Sequence, residues 1–180
     1  MSWARVARRI RVPLGFAFAV FYLWRARPTW LFIAIGGTIV AAGLALRAVA
    51  SGHISKNSEL TTSGPYARTR NPLYLGSVII AAGFVLAARS AWVALAAAVF
   101  FLAIYLPVIA DEEKFLRSRF PEFEDYARQV PRFLPRATAA GAPTGAFSRK
   151  RYLQHREYNA VLGALLMMAA LAAKLLWTPR

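Results

Sequence analysis

Cysteine is absent from the sequence, which excludes disulfides, thiolate zinc sites, iron–sulfur clusters and cysteine nucleophiles. Histidine is nearly so: His53 and His155 stand far apart in no ligand-spaced motif, so no metal site is expected. Acidic residues are scarce, 8 against 23 Lys and Arg, and all charged residues make up only 17% of the chain. The resulting net charge of +15 raises the question of nucleic acid, but the basic residues lie between apolar segments rather than along one soluble surface, so none is expected as a partner. No strand leads into a glycine-rich phosphate or nucleotide loop, and there is no internal repeat. A signal-peptide cleavage site is also wanting: Arg25-Ala26-Arg27-Pro28 suits one poorly, so the basic and then apolar N-terminus reads as an uncleaved anchor.

What is present is apolar. Hydrophobic residues make up 58% of the chain, above the roughly 45–50% of soluble globular domains, and the chain reads as an all-α, integral-membrane helical bundle. Trp3, Val6 and Ile10 recur at helical spacing with Arg5, Arg8 and Arg9 between them, as in a short helix among lipid headgroups or a basic flank that fixes orientation. Val12 to Trp24 is short for a span. Trp30 to Ala50 suits one, with Arg47 close enough to its end to snorkel and Gly36, Gly37 and Gly43 allowing close helix packing. Leu73 to Ala88 and Ala91 to Ala110, joined by Arg89-Ser90, form a hairpin whose polar ends emerge on one face. The second of these helices is expected to continue into water along Phe115, Leu116 and Phe120 until Pro121 stops it. Phe123, Tyr126, Val130 and Phe133 then suggest an amphipathic segment folding back over the membrane face.

Residues 137–146 read as a linker, Arg149 to Glu157 as a charged approach, and Tyr158 to Trp177 as a last full crossing. About five transmembrane helices result, arranged as anchor helices (1–50), a core (51–136), a linker (137–157) and a C-terminal helix (158–177). If the first segment spans, 17 of the 23 Lys and Arg residues share one side, which marks it as cytoplasmic. The expected location is a bacterial inner membrane, with membrane lipids as neighbours and the oligomeric state left open.

Two polar clusters meet at that face. Asn71-Pro72 reads as a capped helix start, and such a start also offers free N–H groups to an anion such as a carboxylate. Tyr66 and Tyr74 serve equally as interfacial aromatics or as walls for a flat ring, with Gly64-Pro65 turning the Tyr66 segment towards the helix start. Asp111-Glu112-Glu113 reads either as a solvated helix exit or as a cation site, because adjacent carboxylates repel one another at a cost when partly buried. S-adenosylmethionine, with its carboxylate, ammonium, sulfonium, hydroxyls and adenine, fits such a pocket.

The motifs Ser63-Gly64-Pro65-Tyr66, Arg70-Asn71-Pro72-Leu73-Tyr74-Leu75-Gly76, Glu112-Glu113, Phe120-Pro121…Tyr126 and Val130-Pro131…Pro135 stand in one order. In this, residues from about 52 to 135 resemble the isoprenylcysteine carboxyl methyltransferase and phospholipid methyltransferase superfamily. The resemblance implies a membrane-embedded, S-adenosylmethionine-dependent methyltransferase without a Rossmann domain. By position, cofactor contacts would fall on Lys56, Leu60, Thr61, Tyr66, Asn71, Pro72, Leu73, Tyr74 and Glu112, with Glu112 and Glu113 as the catalytic carboxylates.

Two departures from the family pattern bear on the substrate. Asn71 stands where the family often has histidine; it donates a hydrogen bond but cannot titrate. Val108 stands four residues before Glu112, where the prenylcysteine enzymes look to have an arginine suited to a substrate carboxylate. A lipophilic hydroxylated, phenolic or amine-bearing acceptor entering from the bilayer is therefore favoured over prenylcysteine. Candidate bases are Glu113, His155 and the substrate's own equilibrium with water. The rival readings are a phosphatidylethanolamine-type N-methyltransferase and a non-catalytic membrane scaffold or transporter.

Overall fold

The computed structural model describes residues 3–55, 59–139 and 145–177, and among these the chain is all-α. In chain order the helices are α1 (Trp3–Arg25), α2 (Trp30–His53), α3 (Pro72–Ala88), α4 (Ala91–Phe100), α5 (Leu106–Arg119), α6 (Phe123–Gln129), α7 (Arg149–Gln154) and α8 (Tyr158–Trp177). A π-helical turn, Phe101–Tyr105, joins α4 and α5 into one continuous rod. Among the described residues three helices are long and apolar enough to cross a membrane, namely Trp30–His53, Ala91–Arg119 and Tyr158–Trp177, and two shorter apolar ones are Val12–Arg25 and Pro72–Ala88. Phe16, Val20, Leu31, Trp92, Leu95, Leu165 and Leu166 are exposed on the outside of the bundle, as lipid-facing side chains are.

Of the two readings of the N-terminus, a separate headgroup helix and a basic flank, the first does not hold: α1 runs unbroken from Trp3 through Pro13 to Arg25. Its first turns are packed, with Ala7 wholly buried against Ile104 and Val108 of the α4–α5 rod. Trp3 Nε1 also donates to Ala103 O at 2.9 Å. That carbonyl belongs to the π-helical turn, so the indole ties the start of α1 to the middle of the rod.

α2 and α3 are the most closely packed pair, and glycine makes this so. A Cβ on Gly36 would lie 2.5 Å from Gly83 O, and one on Gly43 would lie 2.8 Å from Gly76 O, so the two backbones touch at two levels. Gly37 faces open space and plays no part in this contact. Pro72 begins α3, and Arg89 in the left-handed region (φ 49°) ends it, donating its N–H to Leu86 O.

The end of the bundle away from the polar loop is tied shut. Tyr22, Ala26, Ala87, Ala88, Val93 and Leu171 form a core cluster there. Tyr22 Oη donates to Phe84 O at 2.9 Å, and Lys174 Nζ donates to Leu23 O at 2.5 Å and Ala26 O at 2.8 Å. The opposite end, where α2 finishes and α3 and α8 begin, carries the polar groups. Arg47 does not snorkel to water as the sequence suggests. It donates through Nε and Nη2 to Glu157, at 2.9 and 2.8 Å, and so ties α2 to the start of α8.

The rod ends at Arg119, with Phe120 as its extended C-cap just before Pro121, where the sequence predicts the stop. Phe123, Tyr126 and Val130 then cluster with Phe120 beneath Leu60 and Leu116. Phe133 leaves this stripe and packs edge-on against Phe101 at 6.0 Å. Part of the expected linker, residues 140–144, and Lys56 lie outside the described residues. The linker's far end is docked rather than free, since Ser148 N donates to Gly52 O at 2.9 Å.

Candidate functional site

The loop after α2 builds the site from short-range bonds. Ser55 N donates to Thr61 Oγ1 at 3.1 Å, and Gly64, at φ 58°, opens a 3-10 turn over Gly64–Ala67. A Cβ on Gly64 would meet the His53 ring at 2.5 Å, so glycine is required there by both conformation and space. The turn drops Tyr66 into the interior, where Tyr126 Oη donates to Tyr66 O at 2.8 Å. The segment after α6 then straps the loop down: Arg70 N donates to Pro131 O at 2.9 Å, Arg136 N to Arg68 O at 3.0 Å, and Thr69 Oγ1 to Arg132 O at 3.1 Å.

Asn71 differs from expectation. It occupies the N-cap position of α3, but its side chain makes no cap bond. Instead Asn71 Nδ2 donates to Glu113 Oε1 at 3.0 Å and to Arg132 O at 3.3 Å. Glu113 is buried and fully compensated, with Arg132 Nε 3.1 Å from both carboxylate oxygens, Arg132 Nη2 at 2.5 Å and Arg70 Nη1 at 3.8 Å. The repulsion expected between adjacent carboxylates is thereby relieved: one is sequestered by two arginines, and the next, a helical step of about 100° away, stays exposed. The hydrogen bonds that Arg132 donates to Glu113 hold its guanidinium above its ordinary pKa.

Glu112 is exposed and has no hydrogen bond or ion pair among the described residues. It opens onto a cavity of about 250 Å³. Leu60, Thr61, Tyr66, Arg70, Asn71 and Glu113 share its wall, and Leu116, Phe115 and Phe123 provide the apolar side. Two buried polar atoms, Tyr66 Oη and Arg70 Nε, lack partners among the described residues. Such atoms are costly to leave unmet, so the cavity suits a polar ligand. Burial, with help from Tyr126, Glu112 and Glu157 and against Arg47, pushes the Tyr66 phenol well above its ordinary value; it stays a neutral donor.

Of the residues the sequence nominates, Leu60, Thr61, Tyr66, Asn71, Glu112 and Glu113 thus come together around one cavity. Pro72, Leu73 and Tyr74 do not line it. Pro72 is buried at the first turn of α3, Leu73 O accepts from Arg47 Nη1 at 3.2 Å, and the Tyr74 ring meets Tyr105 edge-on at 5.8 Å. Val108 is buried against Ala7 and Ile104, away from the cavity. His155 Nδ1 lies 2.7 Å from Arg151 O at the end of α7 and does not line the cavity either. Sequence reasoning gave no role to Arg132 or Arg70. Arg70 stood inside a recognised motif, but Arg132 reaches Glu113 across a helix end, where no periodicity points to it.

A helical, membrane-type bundle with a polar pocket at the ends of its helices is the class these features define. The family model for phospholipid methyltransferases matches residues 29–122, and the chain belongs to that family. The cobalt-zinc-cadmium resistance protein CzcN of Cupriavidus metallidurans is 43% identical over 81 residues, which is 45% of this chain and 38% of that protein. The nickel-cobalt-cadmium resistance protein NccN of Alcaligenes xylosoxydans xylosoxydans is 41% identical over 81 residues, with the same shares covered. The chain thus spans under two fifths of the length of these curated relatives. No solved structure matches it.

Proposed function

We propose that the protein is an integral-membrane methyltransferase that uses S-adenosylmethionine and methylates a lipophilic acceptor held in the bilayer, with O-methylation favoured. The observation that carries this reading is the unpartnered Glu112 carboxylate beside the two orphaned buried atoms, Tyr66 Oη and Arg70 Nε, in one cavity. Glu112 suits the donor's positive end, while Arg70 and Tyr66 suit its carboxylate. Leu60, Phe115 and Phe123 offer an apolar flank for adenine. When bound, the cofactor supplies an electrophilic methyl group on a sulfonium. The protein's own part is to orient the donor, exclude water and offer fixed charges, which is where most of such catalysis lies.

Val108 and its neighbours favour an acceptor without a carboxylate, because the face one turn before Glu112 is apolar and packed. The five apolar helices are read as five passes. The cofactor cavity then lies on the side that carries most of the arginines and lysines, the cytoplasmic one.

Calorimetric titration of S-adenosylmethionine into the detergent-purified protein, with Glu112→Gln alongside, tests the assignment. Saturable binding that weakens at least about tenfold in the variant is expected, about 1.4 kcal/mol. No binding by folded wild-type protein would remove the cofactor reading.

A further inference from the structure

A second cavity, of about 410 Å³ and open on one side, lies between α1, α2, α3, α4 and α8. Phe18, Ile80 and Phe84 form apolar walls, and small residues such as Ala81 and Ala97 leave the room. One end is polar, with Arg47 and Ser77 in the lining. A guanidinium there would be costly if alone, but it is matched. Nε and Nη2 go to Glu157, and Nη1 donates to Ser77 Oγ at 2.6 Å and to Leu73 O at 3.2 Å. Of the five N–H groups of the arginine, this leaves one on Nη2.

The charge state of that end discriminates among ligand heads. A carboxylate would compete with Glu157 for one guanidinium and set two anions side by side in a medium of low dielectric. An ammonium would face Arg47. A hydroxyl incurs neither penalty, since its oxygen can accept from the remaining Nη2–H, and its proton can turn to Glu157, which is reached through its ion pair with the lining Arg47.

The polar end also lies towards the cofactor pocket. Arg47 is seven residues along α2 from Ile54, which lines that pocket, and Ser77 is six along from Asn71, so the offset is about 10 Å along each helix. Tyr66, in the pocket wall, feels the charges of both Glu157 and Arg47.

We propose that this cavity binds an uncharged amphiphile with a phenol or alcohol head, and that Glu157 accepts the hydroxyl's hydrogen bond and, in methyl transfer, its proton. The binding claim stands by itself; the proton claim rests on the methyl-transfer reading. In the step, the acceptor oxygen forms a bond to the methyl carbon as the carbon–sulfur bond breaks. The electron pair of that bond goes to sulfur, which becomes a neutral thioether. The hydroxyl proton passes to Glu157 and then to water.

Calorimetry on the full chain in detergent, with para-octylphenol, decanoic acid and decylamine as probes, tests the cavity. The phenol is expected to bind saturably and about tenfold or more tighter than the acid or amine. Ala81→Phe or, as a second filling variant, Ala97→Phe should abolish that binding and leave S-adenosylmethionine binding in place. Equal or tighter binding of the acid or amine, or phenol binding unchanged in both filled variants, overturns the site. Phenol binding without any S-adenosylmethionine binding upholds the cavity and removes only the methyl-transfer reading.

For Glu157, single-turnover transfer to the phenol should fall more than about tenfold in Glu157→Gln, with phenol affinity within about threefold of wild type. Where that variant does not fold, Arg47→Gln combined with Glu157→Gln leaves no lone buried charge and should show the same loss. Transfer at the wild-type rate in either would overturn the proton role.

Discussion

Asn71 Nδ2 donates to Glu113 Oε1 at 3.0 Å, joining the start of α3 to the exit of the α4–α5 rod. Asn71 is therefore a clamp on a buried carboxylate rather than a helix cap. Replacing it by Ala leaves Glu113 short of one donor and should cost about 1–3 kcal/mol. Asn71→Asp, which sets two carboxylates at hydrogen-bond distance, should cost more, and Asn71→His, which keeps a ring N–H, should recover part of the loss. Thermal melting in detergent, followed by tryptophan fluorescence, orders the three variants; an aspartate variant as stable as wild type would contradict the clamp.

The two adjacent glutamates should separate binding from stability. Glu113 is enclosed by Arg132, Arg70 and Asn71, so Glu113→Gln strands two arginines and should lower the melting temperature. Glu112 has no partner among the described residues, so Glu112→Gln should leave the melting temperature unchanged within a degree or two while weakening S-adenosylmethionine binding. Melting curves of both variants, with and without the cofactor, check this; a Glu112→Gln protein that melts early would make that residue structural.

This contrast marks how far the sequence could be read. The apolar lengths show the helices, and the order of the Ser63–Tyr66, Arg70–Gly76 and Glu112-Glu113 motifs shows that loop and rod meet. Which glutamate is spoken for depends on Arg132, whose side chain reaches back over a strap held by backbone bonds, and no local pattern encodes such a contact. Arg47 was misjudged for a related reason. Near the end of an isolated helix, snorkelling is the cheapest fate of an arginine, but Glu157, far away in sequence, offers a better one inside the bundle. Pro13 and Pro107 interrupt neither helix: α1 and the α4–α5 rod both run through them.

The glycines of α2 provide an internal control. Gly43→Ala would push a methyl group against Gly76 O, 2.8 Å away, and should destabilise by about 1–3 kcal/mol, as overpacking does. Gly37→Ala meets open space and should be neutral or stabilising by up to about 1 kcal/mol through helix propensity. Comparison of the two melting temperatures checks the α2–α3 contact; equal effects would mean that the helices do not approach this closely.

Alkaline pH offers a test of burial on the site side. Burial raises the phenols of both Tyr66 and Tyr126 above the ordinary value of 10.0, with Tyr126 also raised by Glu113 and lowered by Arg70. In the unfolded chain both phenols ionise near that ordinary value, whereas in the folded chain they keep their protons to higher pH. The folded state therefore binds more protons than the unfolded state above pH 10, and the stability that these tyrosines contribute is intact below that point and lost as pH rises beyond it. Tyr126→Phe removes one of the two groups together with its bond to Tyr66 O, so it should lower stability at neutral pH and flatten the decline above pH 10. Melting temperatures of wild type and variant between about pH 7 and pH 11 read the slope directly. Parallel curves across that range would mean that Tyr126 ionises as freely in the fold as in water, and the packing of α6 beneath the 3-10 turn would then have to be redrawn.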